Sequence, residues 1–333
     1  MLTLYPWRGV TGGLCLFRKS SMMKTYIEQQ RKKAVTFRDD LFKDLGGGMF
    51  KKTERDFVLK DPALNVWAGV REDAIDYFRR HDIPFWDGVT EPTGHILSSQ
   101  IACINHLYFI RQRQDVATAI LKGIDRDVRS ALVLGNGGEN GYVDFEVVGA
   151  KNYLGEKLHT RGANSTSIDA LMLGELDNGL RKLYFIEWKY VESYGRTSKA
   201  SGDSGRTRIK IYSPLLNKPG SPIKEVDIEG LFTEPYYQLM RQTLLAHEMI
   251  KAKEYGAELY LHLHVIPKEN KELKEVNTAS GKLKGENLEE TWKNVLRSPE
   301  LYKAVDPEEL LKPAHNCSDV ISALMYLARR YWR

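Results

Sequence analysis

Two charged residues, Glu187 and Lys189, interrupt the hydrophobic stretch 183–191 (LYFIEWKYV), whose alternation is typical of a buried strand. In a strand, residues two positions apart project from the same face, about 6–7 Å apart at their Cα atoms. An unpaired charge in an interior strand costs several kcal/mol, so such charges are usually paired or bound to a metal. The stretch therefore predicts a site with a carboxylate beside an ammonium, and an exposed edge strand is the alternative.

A second carboxylate, Asp169, interrupts the hydrophobic stretch 166–173 (TSIDALML) that precedes this strand. The polar segment 174–182 (GELDNGLRK) predicts a hairpin between the two strands, which brings Asp169 and Glu187 to one end of a sheet. Two neighbouring carboxylates repel unless one is protonated or a cation neutralises both. We therefore expect a hard divalent ion, Mg²⁺ or Mn²⁺, with Lys189 free to polarise a water or stabilise an oxyanion.

Four further polar residues are candidates for the same site. Glu146 lies in the apolar stretch 142–148 (YVDFEVV), where it is a third metal ligand, a strand-end carboxylate or a partner for a nearby arginine. Arg161, Asn164 and Ser167 come shortly before Asp169. There they would hold the carboxylates or a phosphate, and stabilising a turn is the alternative role.

Two other motifs do not indicate a site. The glycine-rich segment 135–141 (GNGGENG) is followed by a strand and lacks Lys-Ser or Lys-Thr, so it predicts a turn rather than a phosphate loop. His262 and His264 alternate in the stretch 259–267 (LYLHLHVIP) without a clear third ligand. We interpret them as exposed or core-edge histidines rather than metal ligands.

The elements that must position these residues follow from the hydrophobic period. The predicted helices are 20–44, 65–80, 96–109, 115–124 and 235–255, and the predicted strands are 142–148, 166–173, 183–191 and 259–267. Three successive strands predict an antiparallel meander, and the helix crossover places the fourth strand parallel to a neighbour. The predicted fold class is α/β, a mixed sheet of about four strands in the order α-β-β-β-α-β with additional N- and C-terminal helices.

This order divides the chain into three regions. Residues 1–110 are expected to form a helical region that packs on the core, 111–267 the core itself, and 268–333 a charged segment with C-terminal helices. Within the core, residues 192–229 are rich in Ser, Gly, Pro, Lys and Arg. This composition predicts a long basic loop that neutralises phosphates or remains solvated.

The overall composition is that of an ordinary soluble protein. The 333 residues carry 49 Lys and Arg against 44 Asp and Glu, a net charge of +5 that permits nucleic-acid binding without demonstrating it. No apolar run is long enough to cross a bilayer. Cys15, Cys103 and Cys317 lie far apart, which argues against a disulfide framework or a cysteine zinc site and favours a reducing compartment.

Asp169, followed by Glu187-Trp188-Lys189 on the next strand, resembles the signature of the PD-(D/E)XK nuclease superfamily. The order of helix, three strands, helix and strand also matches that superfamily's core, so the implied fold is restriction-endonuclease-like. The segments FEVVG, TRGANSTSIDA, IEWKY and EPYYQLMRQTLLA resemble a bacterial group described as restriction endonucleases. The proline of the superfamily's name is Ile168 here, at a position that varies among its members.

The resemblance implies that Asp169 and Glu187 bind the metal and that Lys189 assists the attacking water. Some members use a glutamine on the helix after the third strand to steady the site or contact the substrate. Gln238 is the candidate for that role, with a solvated helix face as the alternative. The implied activity is Mg²⁺- or Mn²⁺-dependent hydrolysis of DNA that leaves 5′-phosphates, as in a restriction-type endonuclease.

Two other functions fit the same residues. The superfamily also contains members that do not cut nucleic acid, so a non-catalytic nucleic-acid-binding module is one alternative. A nuclease that acts on structured RNA is the other. Cutting both strands of DNA often uses two active sites, which makes a homodimer an arrangement to consider. The chain is expected in the cytoplasm, with no membrane partner.

Overall fold

A computed structural model describes residues 25–86, 90–136, 139–158, 165–195, 197–275 and 282–332. The helices are α1 (Tyr26–Phe42), α2 (Arg71–Arg80), α3 (Ser99–Leu107), α4 (Gln114–Ile124), α5 (Gly202–Asn217), α6 (Ile228–Leu231), α7 (Tyr236–Lys251), α8 (Lys271–Lys274), α9 (Leu288–Val295), α10 (Pro307–Leu311) and α11 (Ile321–Leu327). The strands are β1 (Gly48–Phe50), β2 (Thr53–Arg55), β3 (Val128–Leu132), β4 (Leu134–Asn136), β5 (Glu139–Gly141), β6 (Asp144–Val147), β7 (Ile168–Leu176), β8 (Arg181–Trp188), β9 (Leu259–Val265) and β10 (Tyr302–Val305).

The centre of the fold is a six-stranded sheet with strand order β10-β9-β8-β7-β3, in which β6 also pairs with β7. β6, β7 and β8 form consecutive antiparallel pairs, and β9 lies parallel to β8. This confirms the predicted meander, the parallel fourth strand and the mixed α/β class. The prediction of about four strands misses β3 and β10, which have only 5 and 4 residues and are too short to show a period.

Helices cover both faces of this sheet because successive strand residues point to opposite sides. On one face, Tyr184 and Ile186 of β8 lie in a hydrophobic cluster with α2, α3, α4, α10 and α11. On the other face, Leu183 and Phe185 pack with α5, α7 and α9. Within the described ranges, none of the helices combines the length and the apolar character needed to cross a membrane.

Most of the predicted helices are present, with one shifted start. The segments predicted around α1, α3, α4 and α7 contain those helices, but the predicted helix 65–80 begins late. Residues 62–65 form a 3₁₀ turn, and α2 starts only at Arg71. Between them, the backbone N–H of Trp67 donates to the side-chain oxygen of Asn105 at 2.7 Å. This long-range bond takes the place of a helical one.

The prediction of one long basic loop over residues 192–229 is wrong. This segment contains the 16-residue helix α5 and the short helix α6. Its Ser and Gly content suggests a loop, but Ile209, Ile211 and Leu215 pack against the hydrophobic cluster under α7, and Tyr212 is buried within it. Tertiary packing of this apolar face stabilises a helix that local propensity disfavours. Arg196, at the start of the basic segment, lies outside the described residues.

A buried histidine makes the stability of the fold dependent on pH. His106 of α3 packs against the rings of Trp188 and Tyr331, each 4.6 Å away between centroids. Its Nδ1 bonds to the carbonyl oxygen of Ala102 at 2.7 Å, and Nε2 accepts from the indole N–H of Trp332 at 3.1 Å. Burial lowers the pKa of His106 to about 3.

We expect His106 to destabilise the protein at acidic pH. A histidine with a lowered folded pKa contributes stability above its unfolded pKa of about 6.5, and that contribution is lost as the pH falls towards the folded value. At about pH 5.5 the loss from His106 is about 1.4 kcal/mol. Urea unfolding at neutral and acidic pH should therefore show a smaller acid loss for His106→Gln than for the wild type. Replacing the exposed His315 in the same way is the control, and an equal effect of both changes contradicts the prediction.

Candidate active site

Asp169 and Glu187 lie opposite each other on neighbouring strands. The antiparallel register of β7 and β8 pairs Ala170 with Ile186, and one further step places Asp169 opposite Glu187. Both residues fall on the sheet face that packs against α7, since Leu171 and Phe185 of the same face lie in that cluster. The hairpin expected from the sequence therefore brings the two carboxylates together.

Glu146 lies at the same level on the next strand. In the register of β6 and β7, Val147 pairs with Ile168, so Glu146 lies opposite Asp169. Its φ of 48° falls in the left-handed region, which is unusual for a residue other than glycine and is typical of functional sites. The three carboxylates thus form a transverse row across β6, β7 and β8.

The electrostatics of this row show how close its members are. Burial, followed by the negative charges of Glu187 and Glu146, raises the pKa of Asp169 well above its usual range. The backbone N–H of Trp188 donates to Asp169 Oδ2 at 2.7 Å, which opposes this rise but does not overcome it. Mutual repulsion of this kind is what a bound cation relieves.

Lys189 supplies a buried positive charge beside the carboxylates. It is 5% exposed, and its ammonium donates to Glu187 and, at 2.6 Å, to the side-chain oxygen of Gln238. Burial disfavours the charged form, but Glu187, Tyr194, Glu192 and Asp169 together outweigh it and raise the pKa of Lys189 above its usual range. Lys189 is therefore a fixed cation at neutral pH rather than a proton acceptor.

Two glutamines of helix α7, four residues apart, form hydrogen bonds with Lys189 and Glu187. Gln238 bonds Lys189, and the amide of Gln242 donates to Glu187 and, at 3.3 Å, to the carbonyl oxygen of Ser167. Gln242 is only 1% exposed, so it lies on the buried side of α7 although it is a polar residue. Its i, i+4 spacing from Gln238 is the signal that would have identified it, because such residues share a helix face.

Glu146 is held by neutral donors. The side-chain amide of Gln100 on α3 donates to Glu146 Oε1 at 2.8 Å, and the hydroxyl of Ser167 donates to Oε2 at 3.0 Å. The sequence does not indicate a role for Gln100, because nothing in the local pattern of α3 shows that its first turn reaches β6. These bonds fix the Glu146 carboxylate next to Asp169.

Hard oxygen donors of this kind suit Mg²⁺ or Mn²⁺. In the part of the chain that the structure describes, no group of three or more His, Cys, Asp or Glu side chains is close enough to hold a metal ion. The pair Asp169 and Glu187 nevertheless fits Mg²⁺, which proteins commonly bind through one or two carboxylates while water and phosphate oxygens complete the octahedron. The three-carboxylate set that includes Glu146 stays a prediction.

One known protein family matches this chain over nearly its whole length. A model of the family described as Restriction Endonuclease associating with ARP matches residues 27–332. The chain belongs to this family. The matched range includes every strand of the central sheet and all of the site residues named above. No curated protein and no solved structure matches the chain.

The expectation that the two histidines of β9 are exposed or lie at the edge of the core is wrong in this member of the restriction-endonuclease family. His262 and His264 are 1% and 0% exposed and lie on the face that carries Glu187, with His264 opposite Glu187 in the parallel register. His264 Nδ1 and the hydroxyl of Tyr302 form a hydrogen bond at 2.8 Å. Burial lowers the pKa of both histidines, so they are neutral. The short strand β10, which the sequence does not reveal, makes β9 an interior strand.

Arg161 and Asn164, which the sequence predicts to belong to the site, lie outside the described residues. The neighbouring described residue Thr166 is held by Glu156, which accepts from its backbone N–H at 2.6 Å and from its hydroxyl at 2.5 Å. Arg241 of α7 donates to the same hydroxyl at 2.9 Å. This network anchors the chain immediately before Asp169.

Proposed function

We propose that this member of the restriction-endonuclease family is a Mg²⁺-dependent deoxyribonuclease that hydrolyses DNA phosphodiester bonds. The observation that supports this most strongly is the register of β7 and β8, which sets Asp169 opposite Glu187 with Lys189 ion-paired beside them. Two repelling carboxylates and one buried ammonium are costly to a fold unless they serve a cation and an anionic substrate. We assign the chain to the PD-(D/E)XK superfamily on the same arrangement, with Mn²⁺ as the alternative metal.

Asp169 and Glu187 would hold the metal, with Glu146 as the third ligand. When bound, the ion lowers the pKa of a coordinated water and stabilises negative charge on the phosphate. Lys189 would orient the attacking water through its ammonium and balance the charge that develops in the transition state. Gln238 would fix the Lys189 ammonium through the bond at 2.6 Å. Gln242 would orient the Glu187 carboxylate from the same helix.

The substrate we propose is DNA, since the family is one of restriction endonucleases. Arg161 and Asn164 remain candidates for contacts with the scissile phosphate. A homodimer would supply two sites for cutting both strands.

The test of this function is cleavage of supercoiled and linear DNA with Mg²⁺ or Mn²⁺, compared with EDTA. We expect cutting only with the metal, and none by Glu187→Gln. Glu289→Gln, which removes a surface partner of Lys293, is the matched control and should cut like the wild type. No cutting of any DNA with either metal would overturn the proposal in favour of a non-catalytic binding module. Preferential cutting of structured RNA in direct competition would move the substrate class to RNA.

A further inference from the structure

A second surface of aromatic and basic residues flanks the candidate active site. An open groove of about 500 Å³ is lined by residues 47–51, which include β1, and by residues 58–60, 62, 86 and 92–94. The stacking surface, as we define it, consists of Phe50 and Trp86 with Met49, Lys51 and Lys60 around them. Trp86 is 42% exposed and Met49 62% exposed, although large apolar side chains are usually buried.

The two residues at the turn of the β1–β2 hairpin are lysines in an unfavourable backbone conformation. Lys51 and Lys52 form its turn, with φ values of 48° and 63°. Asn-Gly fits such a turn with less strain, so two lysines there point to a function. The hairpin is fixed to the core, because Gly48 N–H donates to the carbonyl oxygen of Val58 at 2.9 Å. A Cβ at Gly48 would come within 2.2 Å of the carbonyl oxygen of Leu59, which shows how closely the two segments approach.

The lining of this groove carries two positive charges. Among the described residues that line the groove, the charged ones are Lys51 and Lys60, and no acid is present. The ring of Phe50 lies 4.8 Å from that of His95 and 5.3 Å from the ammonium of Lys51. Burial, followed by the positive charges of Arg31 and Lys51, lowers the pKa of His95 to about 4. The surface therefore suits an anion that also offers flat apolar faces.

One side chain joins this surface to the carboxylate row. The backbone N–H of Trp86 donates to Gln100 Oε1 at 2.8 Å, and the amide nitrogen of the same glutamine donates to Glu146 Oε1 at 2.8 Å. The surface and the carboxylate row therefore adjoin the same side chain. A nucleic-acid strand offers both the phosphates that lysines bind and the bases that stack on aromatic rings.

We infer that the stacking surface binds unpaired bases of the nucleic-acid substrate next to the cleaved bond, with the bases on Trp86 and Phe50 and the phosphates on Lys51 and Lys60. Bases in a duplex hide their faces in the stack, whereas unpaired bases can stack on aromatic side chains. The enzyme therefore favours substrates with a single-stranded extension beside the cut site. The location of that cut rests on the proposed function, but the binding preference does not require cleavage.

The experiment measures binding in EDTA by fluorescence anisotropy. The probes are a labelled blunt duplex and the same duplex with a single-stranded extension. We expect Trp86→Ala to weaken binding of the extended probe by about 10-fold and binding of the blunt probe by less than about 2-fold. Trp86→Phe keeps an aromatic face and should restore most of the affinity. Ile321→Ala, which removes an apolar side chain that is 64% exposed on α11, is the matched control and should change neither affinity.

Three outcomes would overturn the inference: unchanged binding of the extended probe by Trp86→Ala, an equal loss on both probes, or no binding of either probe by the wild type. The last would leave the surface to a protein partner. Because binding is measured without metal, failure of the two proposals can be distinguished. If the wild type cuts DNA and Trp86→Ala binds the extended probe normally, only the inference about the stacking surface is overturned. If the wild type never cuts and Trp86→Ala shows the selective loss of binding, only the proposed nuclease function is overturned.

Discussion

Replacing Lys189 with alanine is expected to lower the rate of DNA cleavage by about 10²–10⁴-fold, the range measured for removing one electrostatic or proton-transfer group from an active site. Lys189 is a buried cation between Glu187 and Gln238, and no other described lysine or arginine is ion-paired with either of the two central carboxylates. The measurement is single-turnover cleavage of a linear DNA in the presence of Mg²⁺. Binding of the same DNA in EDTA should change far less, because the loss concerns the transition state.

Lys182→Ala is the control for this prediction. Lys182 lies near the start of β8, whereas Lys189 directly follows its end, and Lys182 forms a comparable ion pair with Asp125 at 2.6 Å. Both changes remove a partly or fully buried ion pair, so both are expected to destabilise the protein. Only Lys189→Ala should lower the cleavage rate at a temperature where both variants are folded. Cleavage by folded Lys189→Ala at the wild-type rate would contradict its role.

Replacing Asp169 with asparagine is expected to stabilise the metal-free protein by about 1 kcal/mol while lowering cleavage by about 10³-fold or more. The pKa of Asp169 is raised by burial and then by the charges of Glu187 and Glu146, so its charged form strains the fold. Because the pKa of Asp169 is higher in the folded than in the unfolded protein, this carboxyl stabilises the fold at low pH. That stabilisation is lost as the pH rises through the folded-state pKa. The gain from Asp169→Asn should therefore be larger in alkaline than in acidic buffer.

Thermal unfolding with and without Mn²⁺ provides the second readout. A ligand that binds only the folded state raises its melting temperature, so the wild type should be stabilised by Mn²⁺ and Asp169→Asn should not. Asp125→Asn is the matched control, since it removes the carboxylate that pairs with Lys182 and should destabilise the protein but preserve the Mn²⁺ response. An Asp169→Asn variant that is destabilised, or that still responds to Mn²⁺ like the wild type, would contradict the prediction.

The sequence was sufficient to predict that Asp169 and Glu187 lie on adjacent, hairpin-connected strands. Asp169, Glu187 and Lys189 each interrupt a hydrophobic strand, and the two-residue period of a strand is a local property that assigns the face of each side chain. The turn between the strands is also local, so the hairpin could be predicted, whereas its register is given by the structure. The same reasoning yields the antiparallel meander and the parallel crossover strand.

Contacts between distant elements depended on the tertiary structure. The burial of Gln242, the reach of Gln100 to Glu146 and the enclosure of His264 by β10 depend on which elements pack together, and no short window of sequence contains that information. Helix α5 forms from a segment of loop-like composition because its apolar face is buried under α7. Periodicity therefore determined which face each charged residue occupies, whereas long-range packing decided which polar partners meet it there.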